Sequence, residues 1–447
     1  MPGPNVLVLM CDHHRYDALG SLGNGLAHTP NLDRLASRSV RFENCFTQAP
    51  VCSPARHSLA TGQYPHVHGV MSNRYTPHPG MVTIAHALQP MGYRRFQLGH
   101  MHWKDPDVDT GYEPWVTFDD WRATMSREVL DRYDWEAQGL TRRTTGGPST
   151  RTSEEYSGFY MAERAIERIE SSVERDESFL AWTAFHEPHP PFYPPADIYE
   201  RIDHSSIELP EQSGPGDRPP HDYIVDRRHE WDHLTDVEIR QMIAGYYGMV
   251  ELADGYCGMV LDALEDLGIR DETIVIWTVD HGEQLWEHEL FVKFNMYEGS
   301  VHVPLMIDVP GTSHGVRDEL VEHVDLFPTI CDLVGARCPR TVQGESLLPL
   351  LGNRPAPTGW RDAVFSEMHR AAIGGTLEMV RTRSMKLNVY DGVPGELYDL
   401  DEDAGELDNR LSDPRYRETR RDLIERLRRW RNATARDHLY RNQSESG

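Results

Sequence analysis

A series of apolar runs, each the length of one β-strand and separated by stretches with helical spacing, restricts the fold of this chain most. Residues 5–10 read NVLVLM, 179–185 read FLAWTAF, 273–279 read TIVIWTV and 303–309 read VPLMIDV; residues 95–98 form a weaker run ending at Gly99. Runs without polar alternation suit strands buried on both faces. Between them lie helical patterns: one starting at Thr29-Pro30 with Leu32, Leu35 and Ala36 on one side, then 154–175, 236–267 (as one helix or two) and 323–334. Strands alternating with helices predict an α/β fold, with a large mixed, mostly parallel sheet sandwiched by helices.

The pattern changes at 352–359, where Pro355, Pro357 and Gly359 cluster. Beyond it, short β-type runs at 363–366, 378–381, 385–389 and 397–400 precede a charged helix over 416–431. This predicts an N-terminal domain over 1–352, with insertions near 119–153 and 202–233, and a C-terminal α+β subdomain over 353–447 with an antiparallel sheet. A chain of 447 residues has room for both. Its formal net charge of −26 argues against nucleic acid and anionic membrane surfaces as partners. Only Lys104, Lys293 and Lys386 are lysines; the other basic residues are arginine. The six cysteines show no disulfide framework or paired zinc spacing, no apolar leader precedes the first strand, and no membrane-length run follows, so the cytoplasm is the expected location.

Open parallel sheets bind ligands beyond the carboxyl ends of their strands. Four expected strands end in polar clusters: Asp12-His13-His14 after 5–10, His100 and His102 after 95–98, His186 and His189 after 179–185, and Asp280-His281-Gly282-Glu283 after 273–279. One histidine at a strand end is commonly a surface or core residue. Four clusters on one edge predict a site. Cys52-Ser53-Pro54-Ala55-Arg56-His57, followed by Thr61-Gly62, belongs beside it. Pro54 suits a first helical turn, Ser53 suits its cap and Gly62 its stop. Cys52 then sits at a helix N-terminus, where backbone N–H groups favour anions and lower a thiol pKa.

The Cys52…Arg56 block resembles the C-x-P-x-R core of the type I, formylglycine-dependent sulfatases of the alkaline phosphatase superfamily. Asp12, Arg15 and Asp17 to Gly20 are similar to that family's first metal loop, and residues 28–36 to its next helix. Asp280 to Glu283, Lys293 and residues 300–305 resemble its second metal loop, and residues 395–400 its closing hairpin. The likeness runs from residue 5 to about residue 430. It implies that a maturation enzyme oxidises Cys52 to formylglycine. It implies further that Asp12, His13, Asp280, His281 and the modified Cys52 hold one divalent cation, with calcium the first expectation and manganese or magnesium the others. Arg56 would brace the carboxylates, and Lys293 would contact a sulfate oxygen and the leaving oxygen. Asp280 would take the nucleophile's proton, His189 would protonate the leaving group, and His102 would take the hemiacetal proton. Asn73, His100 and His186 would contact the substrate. Two positions depart from the family: His13 stands where relatives carry an acid or amide, and either coordinates through nitrogen or only hydrogen-bonds, and His100 stands where they carry lysine.

The activity implied is hydrolysis of the sulfate monoester of a small organic or sugar substrate. The alternatives are a phosphonate monoester or phosphodiester hydrolase built on the same residues, and a metal-dependent binding protein with an unmodified Cys52. Trp121, Tyr133, Trp135, Tyr223 and Trp231, in the insertions, are candidates to stack on a sugar or a quaternary ammonium, with packing of the long loops the alternative and the first expectation for any single one. A homo-oligomer formed through the insertions or the C-terminal tail stays open.

Overall fold

The computed structural model describes residues 3–103, 108–113, 116–133, 146–212, 221–352, 355–369 and 375–444. Seven strands form the main sheet: β1 (Asn5–Cys11), β2 (Val40–Phe46), β3 (Arg94–Gly99), β4 (Phe179–Ala184), β5 (Thr273–Val279), β6 (His302–Asp308) and β7 (Gly315–Glu322). Their order is β3-β4-β1-β5-β6-β2-β7. The four strands β3, β4, β1 and β5 are mutually parallel, β6 runs antiparallel between β5 and β2, and β7 is parallel to β2. The continuous apolar runs explain the centre: every residue of β5, and all of β1 after Asn5, is buried.

Two sets of helices cover this sheet. The helices Pro30–Ala36, Ser157–Glu174 and Asp236–Asp266 pack on one another. The helices Cys52–Thr61 and Leu326–Val334 form a second group. Residues 236–266 make one continuous helix, its Thr235 side chain accepting from Glu238 N–H in a capping box. A second sheet, β11-β10-β9-β8, is antiparallel and comprises β8 (Val364–His369), β9 (Thr376–Arg381), β10 (Met385–Tyr390) and β11 (Val393–Asp399). It shares one apolar cluster with the main sheet, in which Phe46 and Leu320 pack with Val364, Met368 and Met379. The helix Arg417–Ser444 closes the chain.

The sequence pattern did not reveal β2 and β7. Their burial alternates or fades along the strand, and β7 is an edge strand exposed at its start, so neither reads as an apolar run. Three of the aromatic candidates have other work. Trp121 is buried against Phe118, Trp231 is buried against Phe291, and the Tyr223 hydroxyl donates to the Phe294 carbonyl, so they pack the long loops and do not line an open pocket. Trp135 lies outside the described residues, as does the Tyr133 side chain. Among the described residues no helix is long and apolar enough to cross a membrane.

Candidate active site

The parallel order β3-β4-β1-β5 brings four neighbouring strand ends to one edge. β3 delivers His100 and His102, β4 delivers His186 and His189, β1 delivers Asp12 and His13, and β5 delivers Asp280, His281 and Glu283. Two glycines make the close approaches. Gly99, at φ +87°, turns the chain toward His100, and a Cβ there would meet the Ala184 carbonyl oxygen at 2.0 Å. A Cβ on Gly282 would lie 2.1 Å from the Gly299 carbonyl oxygen, so only glycine lets the β5 loop pass.

Cys52 starts the helix Cys52–Thr61, and Pro54 stands in its first turn. The expected cap at Ser53 is absent. Val51 is the N-cap residue, without a side-chain cap, and the Ser53 N–H donates to Asn73 Oδ1 at 2.9 Å. Asn73 therefore holds the start of this helix. Gly62 ends it in the left-handed conformation, as expected.

Arg56, one turn along, is fully buried. Its Nε donates to Asp280 Oδ2 at 2.9 Å and its Nη2 to Asp12 Oδ2 at 2.7 Å. The fork thus spans the two carboxylates, a geometry that the compact ammonium of lysine could not reproduce. Asp280 Oδ1 accepts from the backbone N–H of His281 at 2.9 Å and of His13 at 3.3 Å.

Lys293 Nζ lies at the centre. It donates to Cys52 Sγ at 2.6 Å, to His281 Nε2 at 3.0 Å and, closely, to His13 Nε2. Cys52 Sγ is also 3.2 Å from His281 Nε2 and 3.8 Å from Asp12 Oδ1. Two overlapping sets of donor atoms each fit within 4.8 Å: Asp12, Cys52, Asp280 and His281, and Asp12, His13, Cys52 and His189. Two imidazole nitrogens, a sulfur and two carboxylates gathered around one ammonium make an electron-rich cluster. The residues present fit a divalent cation.

The remaining histidines line this centre. His189 packs edge-on against His13 at 4.4 Å between ring centroids, and His186 lies 4.5 Å from His189. His189 Nδ1 faces the Pro190 carbonyl at 2.6 Å, which leaves Nε2 as its second nitrogen. His100 Nε2 and His102 Nε2 are 2.6 Å apart. Phe118, at the edge of the first insertion, lies 5.8 Å from the His186 ring. All the expected site residues therefore fall on this one edge, with Asn73 at its helical border.

Burial dominates the electrostatics. Burial opposes ionisation of Asp12, but Arg56 and Lys293 outweigh it and hold the carboxyl well below its usual range. Burial, reinforced by Lys293, brings His281 down to about 4, and burial with Arg56 brings His100 down to about 3. His13, His102 and His189 are shifted down for the same first reason. The helix terminus was expected to lower the Cys52 thiol. Burial and the Asp12 carboxylate push it up to about 12 instead, against the pull of Lys293. An unmodified Cys52 would be a poor nucleophile here.

Several of these groups stand on left-handed backbone: His13 at φ +66°, His102 at +58°, and Val292 and Phe294, which flank Lys293, at +64° and +79°. For residues other than glycine this conformation is disfavoured by roughly 1–3 kcal/mol, and it gathers at functional sites. Sequence reasoning quoted Glu283 only as part of a motif. The structure gives it a partner, since Glu283 Oε2 accepts from His13 Nδ1 at 2.9 Å. The only sequence signal was its place two residues after His281.

Comparison with known proteins finds a family for the chain. Residues 4–336 match the family profile described as Sulfatase, and residues 286–433 match one described as N-sulphoglucosamine sulphohydrolase, C-terminal. The chain is 30% identical over 439 residues to a choline-sulfatase of Rhizobium meliloti (strain 1021), covering 92% of this chain and 83% of that protein. It is 28% identical over 433 residues to arylsulfatase K of Danio rerio, covering 91% and 80%. Among solved structures it resembles the phosphonate monoester hydrolase of Agrobacterium radiobacter, with a TM-score of 0.81, 25% identity and 96% of each chain covered.

Proposed function

This chain belongs to the sulfatase family, and we propose that it acts on a small organic or sugar sulfate through a formylglycine made from Cys52 and one divalent cation. It is a sulfuric ester hydrolase; the substrate and the residue roles are our reading. The observation that carries it is the position of Cys52 Sγ, beside Lys293 Nζ and His281 Nε2, at the start of a helix whose Arg56 bridges Asp12 and Asp280. The sulfur stands where the oxygens of a hydrated aldehyde would lie.

When present, the cation supplies Lewis-acid polarisation, and the aldehyde hydrate supplies one nucleophilic hydroxyl and a second whose deprotonation releases sulfate. The protein's own residues do the rest. Asp12, Asp280 and His281 hold the cation. Asp280 is placed to accept the nucleophile's proton, and Arg56 keeps both carboxylates in register. Lys293 donates to the sulfuryl and leaving oxygens, where negative charge grows. His189 points its Nε2 at the leaving side and takes up its proton beside the anionic ester, because a neighbouring anion favours the charged imidazole. His102, next to His100, accepts the proton of the second hydroxyl. With a neutral imidazole at 100, the fixed positive charge of this site rests on Arg56 and Lys293.

Cys52→Ser tests the reading. A serine alkoxide can take the sulfuryl group but has no second hydroxyl with which to expel it. We expect a sulfated enzyme, visible by intact mass, and no multiple turnover. Normal turnover by Cys52→Ser, or an intact thiol at 52 in protein from its native host, would refute it. The likeness to a phosphonate monoester hydrolase supports a second reading, in which aryl phosphonates are the better substrates. Rates on an aryl sulfate and an aryl phosphonate with one aldehyde-containing preparation decide between them.

A further inference from the structure

Glu283 is fully buried, two residues beyond His281, and both of its oxygens are engaged. Oε1 accepts from the backbone N–H of Leu285 at 3.2 Å and, closely, from that of Val292. Those bonds clamp the two ends of the loop that presents Lys293. Oε2 meets His13 Nδ1 at 2.9 Å. Burial raises the Glu283 carboxyl to about 7, and it is the ionised form, with one oxygen on two backbone N–H groups, whose other oxygen accepts a proton held on His13 Nδ1. The opposite side of the ring gives the same answer independently. His13 Nε2 faces the Lys293 ammonium, which has no lone pair to offer, so Nε2 must accept. His281 is arranged alike, with Nδ1 on the Gly282 carbonyl at 3.0 Å and Nε2 toward Lys293 and Cys52. Two imidazole lone pairs therefore face the Lys293 ammonium from two sides, His13 in the donor set with Asp12, Cys52 and His189, and His281 in the set with Asp12, Cys52 and Asp280. His13 is held there on left-handed backbone, at φ +66°.

We propose that Glu283 is a positioning residue that locks His13 with its Nε2 lone pair on the cation, so that the site carries two nitrogen ligands and selects a first-row transition metal such as Mn²⁺ over Ca²⁺. The inference rests on the reading that Asp12, Asp280 and His281 hold a cation. A carboxylate behind a metal-ligating histidine sets its tautomer and raises its basicity. Imidazole nitrogen suits the later first-row transition metals, Mn²⁺ is the ion of that series that also shares the carboxylate preference of Mg²⁺, and Ca²⁺ takes oxygen ligands.

The test uses the full-length protein, stripped with a chelator and titrated with Mn²⁺ alone and with Ca²⁺ in competition. Pulsed electron paramagnetic resonance of bound Mn²⁺ counts coordinated nitrogens without reference to turnover. Wild type is expected to show two. Glu283→Gln keeps an oxygen for Leu285 and Val292 but turns an NH₂ toward His13 Nδ1, which drives the proton onto Nε2. It should show one nitrogen and bind Mn²⁺ roughly 10- to 100-fold more weakly, with Ca²⁺ affinity unchanged. His13→Gln should lose the same nitrogen, and adding Glu283→Gln to it should weaken Mn²⁺ no further.

Wild type that binds Mn²⁺ through a single nitrogen overturns this inference and leaves the cation reading intact. So does a Glu283→Gln protein that keeps two nitrogens. Wild type that binds neither ion removes the cation reading itself. Should Glu283→Gln fail to fold, the wild-type nitrogen count and the His13→Gln titration still decide.

Discussion

Two buried charged clusters flank the main sheet, and they are built to opposite ends. The active site sets Asp12 and Asp280 against Arg56 and Lys293. The second cluster lies at the seam with the small sheet, where Arg361 alone serves both Glu322 and Asp325, at 2.7 Å each. At the seam every carboxylate oxygen finds a protein donor. Glu322 accepts from Tyr64 hydroxyl, Phe365 N–H and the Gln48 amide, and Asp325 from the N–H groups of Glu322 and Glu345. At the active site lone pairs are in surplus, and they converge on one ammonium. Buried Arg56 Nη1 and His102 Nδ1 lack a partner among the described residues, and strained backbone holds this edge of the site. The pKa directions follow the charge count. Two cations drag Asp12 down, while burial raises Glu322 to about 7 because one guanidinium is shared by two acids. A finished network stabilises; an unfinished one binds.

The contrast predicts which substitutions strike chemistry and which strike folding. Lys293→Met should have the largest effect on rate, lowering kcat by roughly 10²–10³ through loss of a preorganised donor. It also removes one of the two cations that balance Asp12 and Asp280, so the metal-free protein should unfold at a lower temperature, though by less than Arg56→Ala. A Lys293→Met enzyme of normal kcat would show that the ammonium is only a packing element. Arg56→Ala should damage both properties, because it strands two buried carboxylates. A loss of about 3–5 kcal/mol is expected, and saturating Mn²⁺ or Ca²⁺ should restore part of it by binding the same carboxylates. Denaturant titrations with and without the ion measure this.

The sequence made the two regions unequally legible. The parallel strand ends were readable because β1, β4 and β5 are apolar without interruption, so the polar residue that ends each run stands out. Cys52, Arg56 and Lys293 were readable through the likeness of their motifs to the family's. The seam was not readable, because Glu322 ends an edge strand of mixed polarity and meets Tyr64, Gln48 and Arg361 only through the fold. Glu283 and His13 lie 270 residues apart, and no local pattern pairs them. The thiol of Cys52 misled for the same reason. A helix terminus is a local feature, but burial and the Asp12 carboxylate are tertiary and outweigh it.

Seam substitutions should act in the opposite sense to those at the site. Arg361→Leu leaves two buried acids without their cation and should remove about 3 kcal/mol, the low end of the range because Arg361 is 15% exposed. Nitrogen coordination of Mn²⁺ and kcat, read below the new unfolding temperature, should stay at wild-type values. A changed kcat would mean that the clusters are coupled through the sheet. The smallest effect is the pH dependence of Glu322. Its folded carboxyl holds a proton more tightly than the ordinary value of 4.5, so its contribution is complete below about 4.5 and is lost as pH rises through about 7. Asp12, shifted the other way, loses its contribution only as pH falls below its ordinary value of 3.8; from pH 5 to 8 Glu322 titrates together with Glu283 and Glu406, which burial also raises to about 7. Glu322→Gln should therefore remove a share on the order of 1–2 kcal/mol from the decline across that window, read as unfolding temperature against pH. If the decline persists unchanged in Glu322→Gln, the seam carboxyl is already ionised at pH 5. Arg361 would then be strong enough to serve both acids, and the charge count that separates the two clusters would lose its meaning.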